Sequence, residues 1–296
     1  MKKIKRSKRL DKNTRRVSGF FLTPSILGVL TFFVVPFFVV IYYSFVDNPI
    51  NGEFVGFQNY VNVIQNQAFR TAVGNTLLFS LIAVPLVMVL SMLMAFMMDT
   101  AVPFKSQFRS FFLSPLMVPV ASVVLIWQVV FDYNGMLNHI TSYFGAEPVD
   151  WLKSSWGMVV VILLFLWKNL GYDMILFMSA IANIPQDIIE VAELDGASTM
   201  QVFWHVKIRY MSPAILFVMI LSIINSFRVF REVYLLTGGY PDQSLYMLQH
   251  YMNNTFASAD YQKLSTAAIY MSLVMIVIIG LLFWVENRFG KDVEEE

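Results

Sequence analysis

In the stretch "IIEVAELDGASTMQVFWHVKIRYMSPAI", residues 188–215, Glu190, Glu193 and Asp195 stand close together and Gly196 follows at once. Carboxylates so placed on a short helix offer ion pairs to a basic partner. Two more polar groups interrupt long apolar runs. Asn225, Arg228 and Glu232, at three- and four-residue spacing, share one helical face, with Ser226, Arg231 and Tyr234 close by. Trp167, Lys168, Asn169, Tyr172 and Asp173 form the second group. Amide, guanidinium and carboxylate groups of this kind bind by hydrogen bonds and charge, and they make no catalytic constellation. The three histidines (His139, His205, His250) are scattered, and no H-E-x-x-H occurs. Zero cysteines exclude disulfides and thiolate metal sites. Neither a metal site nor an enzyme activity is expected.

The elements that position these groups have the composition of a membrane protein. Of 296 residues, 57% are hydrophobic and only 14% charged, with mean hydropathy +0.61. A soluble domain carries about 25% charged residues. Apolar runs of about 20 residues recur, each long enough to cross a hydrocarbon core about 30 Å thick. Six spans are predicted, at 20–45, 76–98, 111–131, 158–181, 214–236 and 267–285. The fold class is all-α, a polytopic membrane bundle of six transmembrane helices. Pro36, Pro85 and Pro119 fall inside three of the spans. Kinks rather than breaks are expected there, because neighbouring helices re-satisfy the freed carbonyls.

The net charge of +1 identifies no partner, and nucleic acid is not expected to be one. Charge distribution is more informative. The segment "MKKIKRSKRLDKNTRR" carries nine basic residues and one acid, and with Lys105, Arg109, Lys207, Arg209, Arg288 and Lys291 fifteen cations fall on one side. The opposite loops hold Arg70, Lys153 and Lys263. Fifteen against three places both termini in the cytoplasm. The basic start is expected to touch anionic membrane lipid. Its apolar run exceeds a signal-peptide core and no A-x-A-like site follows, so it is expected to remain as the first span. The organisation is then a basic cytoplasmic tail (1–17), a transmembrane domain (18–286) with a cytoplasmic loop at 183–212, and a cytoplasmic tail (287–296).

Within that loop the local chemistry predicts two short helices. Pro185 suits a first helical turn, and Ile188, Ile189, Val191 and Ala192 supply an apolar face beside Glu190 and Glu193. Gly196 fits a left-handed helix terminus. "STMQ" then reads as a capping box, with Ser198 as cap and Gln201 reaching back. An acidic helix lying on anionic lipid would be repelled, so docking to a cytoplasmic protein fits better than surface adsorption.

"EVAELDGASTMQVFWHVKI" resembles the EAA loop of ATP-binding-cassette importer permeases. That pattern is Glu-Ala-Ala, three residues, Gly, then Ile-x-Leu-Pro further on. Here Glu190, Val191 and Ala192 stand for the first three, Gly196 for the glycine, and Val206 and Ile208 for the Ile and Leu. Val191 replaces an alanine. Arg209 stands in the proline's place, with Pro213 as the second proline, which leaves open how the helix after the turn runs. The segments "FFLTPSILGVLTFFVVPFFVVIYYSF", "FVGFQNYVNVI", "NTLLFS", "FFLSPLMVPV", "LIWQVVFD", "GMLN", "PVDWL" and "YLLTGGYP" occur in the order seen in carbohydrate-type importers. They resemble the maltose-F-like subunit that pairs with a second, maltose-G-like permease, and cover nearly the whole chain from Phe20.

The resemblance implies a type I importer permease fold in a bacterial plasma membrane. It implies a heterodimer with a second permease, two cytoplasmic ATPase subunits, an extracellular sugar-binding protein, and a sugar substrate, with an oligosaccharide expected. Glu190 would pair with a basic residue of the ATPase groove, Gly196 would permit the turn, and Ala192 and Ala197 would keep the contact face small, with Val191 and Asp195 in the same loop. No G-x-x-x-x-G-K-[ST] occurs, so ATP and Mg would sit on the partner subunits and this chain would bind no cofactor.

A polar group inside a membrane is a functional-site hypothesis. Candidates for the substrate path are Asn225, Phe227 and Tyr234 in span five, Trp167, Asn169 and Tyr172 in span four, and Gln128 in span three, where Trp127 is either a lining residue or an interfacial anchor. Arg228 and Glu232 are read as a pair that orients span five. Lys168 must face a cavity, a carboxylate or the partner permease. Rival readings are a secondary transporter, which would show inverted repeats, an intramembrane enzyme, and an importer for a non-sugar solute such as an amino acid, phosphate, glycerol phosphate or polyamine.

Overall fold

Twenty or more apolar residues in a row leave the backbone one way to satisfy its N–H and C=O groups in hydrocarbon, which is to coil on itself. The structure, a computed structural model, describes residues 12–99 and 104–289. Most of the basic tail and the end of the C-terminal tail lie outside the described residues. The chain runs α1 (Lys12–Val29), a π-helical turn (Leu30–Val34), α2 (Val35–Ser44), α3 (Gln58–Gln65), α4 (Gln67–Asp99), α5 (Lys105–Met117), α6 (Val120–Phe131), α7 (Met136–Tyr143) and α8 (Gly157–Ala182). It continues through α9 (Gln186–Leu194), α10 (Thr199–Val202), a second π-helical turn (Phe203–Lys207), α11 (Ile208–Tyr210), α12 (Ser212–Phe227), α13 (Phe230–Thr237), α14 (Leu248–Ala257) and α15 (Tyr261–Phe289). Among the described residues the one β pairing is the isolated bridge Val46–Phe54.

Among the described residues six helical segments are long and apolar enough to cross a membrane: Gly19–Ser44, Gln67–Asp99, Val120–Tyr143, Gly157–Ala182, Ser212–Thr237 and Tyr261–Arg288. Five agree with the sequence reading to within a few residues at most ends, and the second starts nine positions earlier than expected. The third differs. Pro119 does not kink the run 111–131 but breaks it, because Val118 is extended (φ −83°, ψ 132°) as steric conflict with a following proline favours. Residues 105–117 become a separate helix, and the span shifts towards Tyr143. Pro36 follows the first π-helical turn and Pro85 lies inside unbroken α4.

Residues 12–63 and 260–271 form one packed unit, and 64–259 with 272–289 the other. In the first, Tyr60 meets Phe45, Phe57 and Tyr270 at ring-centroid distances of 5.4, 5.6 and 5.4 Å. Its hydroxyl bonds the Ser44 hydroxyl at 2.8 Å. In the second, α4 packs along α8 with α12 against both, and buried Phe79 and Phe165 meet edge to face at 5.4 Å. Ser80 bonds Ser226 at 2.8 Å, and Ser222 donates to Asp173 at 2.9 Å. Gly171 lets α5 lie against α8: a Cβ there would fall 1.8 Å from the Phe112 carbonyl oxygen. This close contact holds the proline-terminated helix beside span four.

Candidate functional site

The loop at 183–212 is built by local chemistry. Pro185, extended at φ −60° and ψ 127°, caps α9 from just outside its first turn rather than within it. At the far end Asp195 is the C-cap and Gly196 adopts φ +83°, a left-handed conformation. The Gly196 N–H donates to Glu193 O and the Ala197 N–H to Ala192 O, both at 3.0 Å. These two bonds close a Schellman turn. Ser198 then caps α10 in a complete capping box: its N–H donates to the Gln201 side chain at 2.7 Å, and its hydroxyl accepts from the Gln201 N–H at 3.4 Å. Arg209, in the place of the resembled proline, lets the helix run on from Thr199 to Tyr210, with one π-helical turn at Phe203–Lys207.

The hairpin presents α9 outward. Asp187, Glu190, Glu193 and Asp195 are exposed, and among the described residues none of them forms an ion pair. Val191 and Leu194 are exposed beside them, Leu194 to 86%. Ala192 and Ala197 line a shallow hollow with Gln201, Val202, His205 and Val206. Behind this face the loop is anchored in the core by Ile184, Val202 and Met211. Phe203 meets Phe96 at 4.8 Å, and Lys207 pairs with Asp99 at 3.6 Å, tying the second arm to the end of α4. Sequence reading missed this tie. The arrangement is an acidic knob whose second arm is tied to the end of span two and leads into span five.

The second site lies in the bundle. Span five is discontinuous: α12 ends at Phe227, Arg228 and Val229 turn with their N–H groups bonded to Asn225 O and Ser226 O, and α13 begins at Phe230. The turn opens a cavity of about 290 Å³ facing α8, lined by Leu116, Lys168, Asn169, Asn225, Arg228, Arg231 and Glu232 among others. Asn225 donates to Asn169 Oδ1 at 3.2 Å. Spans four and five thus contribute to one cavity. Leu116 lines it from the end of α5, the helix that the break at Pro119 separates from span three.

The expected Arg228–Glu232 pair is not formed. Glu232, 6% exposed, pairs with Lys168 of span four, because the turn at Arg228 rotates α13 out of register with α12. The structure places the other path candidates elsewhere. Gln128 donates to the Leu235 and Leu236 carbonyls at 3.1 and 3.2 Å, satisfying the end of α13. Phe227 is buried and lines an apolar groove with α4. Tyr234 packs on Phe230 at 5.3 Å. Trp167 meets Trp127, itself stacked on Phe131. Tyr172 is not among the cavity's lining residues.

Outside the spans, the segment after α13 is held by polar contacts. Hydrogen bonds from the Ser244 N–H and hydroxyl lower the pKa of Asp242. Buried His250 accepts the Met247 N–H at 3.2 Å, and burial lowers its pKa to about 4.

Residues 87–294 match the family described as binding-protein-dependent transport system inner membrane component. The chain is 31% identical to the multiple sugar-binding transport system permease protein MsmF of Streptococcus mutans over 93% of this chain and 95% of that protein. It is 32% identical to the arabinooligosaccharides transport system permease protein AraP of Bacillus subtilis over 73% of this chain and 70% of that protein. In fold it is similar to a chain of a bacterial ABC transporter that imports the acidic polysaccharide alginate, with TM-score 0.81 at 22% identity, covering 95% of this chain and 99% of that one. With six apolar spans among the described residues and a family match over residues 87–294, the chain belongs to the inner membrane components of binding-protein-dependent transport systems, as a permease subunit.

Proposed function

We propose that this permease moves a saccharide through the cavity between α8 and the α12–α13 turn, and that α9 couples the movement to ATP hydrolysed by partner subunits. The exposed, acidic, small-faced α9 on its Schellman and capping-box hairpin is the observation that carries the reading. A helix that, with its C-cap Asp195, carries four carboxylates without an ion pair among the described residues, and a hollow edged by two alanines, suit a basic groove on a cytoplasmic ATPase, with Glu190 as the ion-pairing group. The positive-inside count supports a cytoplasmic loop and cytoplasmic termini. The partners are a second permease, two ATPase subunits and an extracellular binding protein. Closure of the ATPases would pull α9, and the tie between Lys207, Phe203 and the end of α4 would pass that motion to spans two and five. Sugar permeases among the relatives support a saccharide substrate. The three cations of the cavity oppose a polyamine.

Replacing Glu190 with Lys sets like charge against the groove. The purified importer should then lose its ATPase subunits, or keep them without uptake, while this chain still inserts. A Glu190→Lys complex with full ATPase content and normal uptake refutes the coupling role.

A further inference from the structure

The cavity holds more positive charge than this chain balances. Lys168 is matched by Glu232. Arg228 and Arg231 line the same cavity and are exposed, and among the described residues no carboxylate oxygen lies within 4.0 Å of either guanidinium. Asp173, the carboxylate of span four, is buried and accepts from Ser222 instead. Unneutralised arginine within a span is costly, so these two groups call for an anion. A neutral saccharide offers only hydroxyls, for which the Asn169 and Asn225 amides suffice. A guanidinium fork matches two oxygens of one carboxylate or sulfate group.

Resting on the reading of this cavity as the solute path, we propose that the imported saccharide is acidic and that Arg228 and Arg231 receive its anionic group. The charge of the solute is then read inside the membrane as well as at the binding protein. Asn169 and Asn225 contact the hydroxyls of the same sugar unit, while the Lys168–Glu232 pair stays closed.

Cells carrying the complete importer, and cells lacking this chain, would be given oligosaccharides from polygalacturonate and carrageenan (acidic) and from galactan, arabinan and starch (neutral). Mass spectrometry would measure what accumulates in the first cells alone. Acidic products should exceed neutral ones at least about ten-fold, and Arg228→Gln and Arg231→Gln should each lower acidic uptake by about ten-fold or more, the scale of a charge-assisted hydrogen bond. The variant complexes should still co-purify with the second permease. Accumulation of neutral products alone overturns this proposal and leaves the saccharide reading standing. Accumulation of no saccharide overturns both. Loss of the second permease from the Arg→Gln complexes assigns the guanidiniums to the subunit contact and also overturns the proposal.

Discussion

Replacing Glu232 with Gln removes the one anion that lines the cavity among the described residues and leaves the cations Lys168, Arg228 and Arg231 around it. Glu232 and Lys168 have side-chain exposures of 8% and 28%. Stranding one member of a fully buried pair costs about 3–5 kcal/mol. Because Lys168 keeps some access to water, about 2–4 kcal/mol is expected for Glu232→Gln. Lys168→Met strands Glu232 instead, but Arg228 and Arg231 line the same cavity and can replace the lost cation, so its cost should be about 1–2 kcal/mol. The double variant Lys168→Met/Glu232→Gln restores the original charge balance and should resemble Lys168→Met alone. The coupling energy would then equal the cost of Glu232→Gln, about 2–4 kcal/mol, well above the scatter of about 0.5 kcal/mol seen for independent sites. Thermal unfolding of the purified complete importer at low salt, with all four proteins measured side by side, provides the cycle. An additive double variant refutes the pairing, and a Lys168→Met as damaging as Glu232→Gln refutes the charge excess.

Gly196→Ala forces a Cβ into a left-handed conformation at φ +83°, which costs about 1–2 kcal/mol. It should loosen the hairpin and reduce retention of the ATPase subunits, measured by co-purification, without affecting membrane insertion. His250 has its pKa lowered from 6.5 to about 4 by burial, so between these values the opened segment binds more protons than the folded one. Stability of the segment around α14 should be full above about pH 6.5 and fall by up to about 3 kcal/mol as pH drops towards 4. Hydrogen exchange of α14 at pH 7 and pH 5 would read this, and equal protection would refute it. Ser198→Cys should resist an impermeant thiol reagent in intact cells while Ser142→Cys reacts; both positions are exposed and the chain has no other cysteine. Labelling at 198 in sealed cells would invert the orientation.

The amino-acid sequence by itself determined the features whose causes are local. Apolar length placed five of the six spans, since each helix satisfies its own backbone, although the second and sixth begin nine and six residues before their expected starts. Gly196, Ser198 and Gln201 determined the loop hairpin, because a left-handed glycine and a capping box act within a few residues. The break at Pro119 was also written there, in a proline whose effect on Val118 depends on whether neighbouring helices support the freed backbone. The cavity was decided by tertiary structure alone. Nothing near Arg228 marks a break, as no proline or glycine stands in 223–233. The pairs that shape the site join residues far apart in the chain, Lys168 with Glu232, Asn169 with Asn225, and Gln128 with the end of α13. Helical spacing made Arg228 and Glu232 neighbours on one face. The turn between them and the approach of α8 gave Glu232 a different cation, because a buried carboxylate takes the partner that packing brings to it.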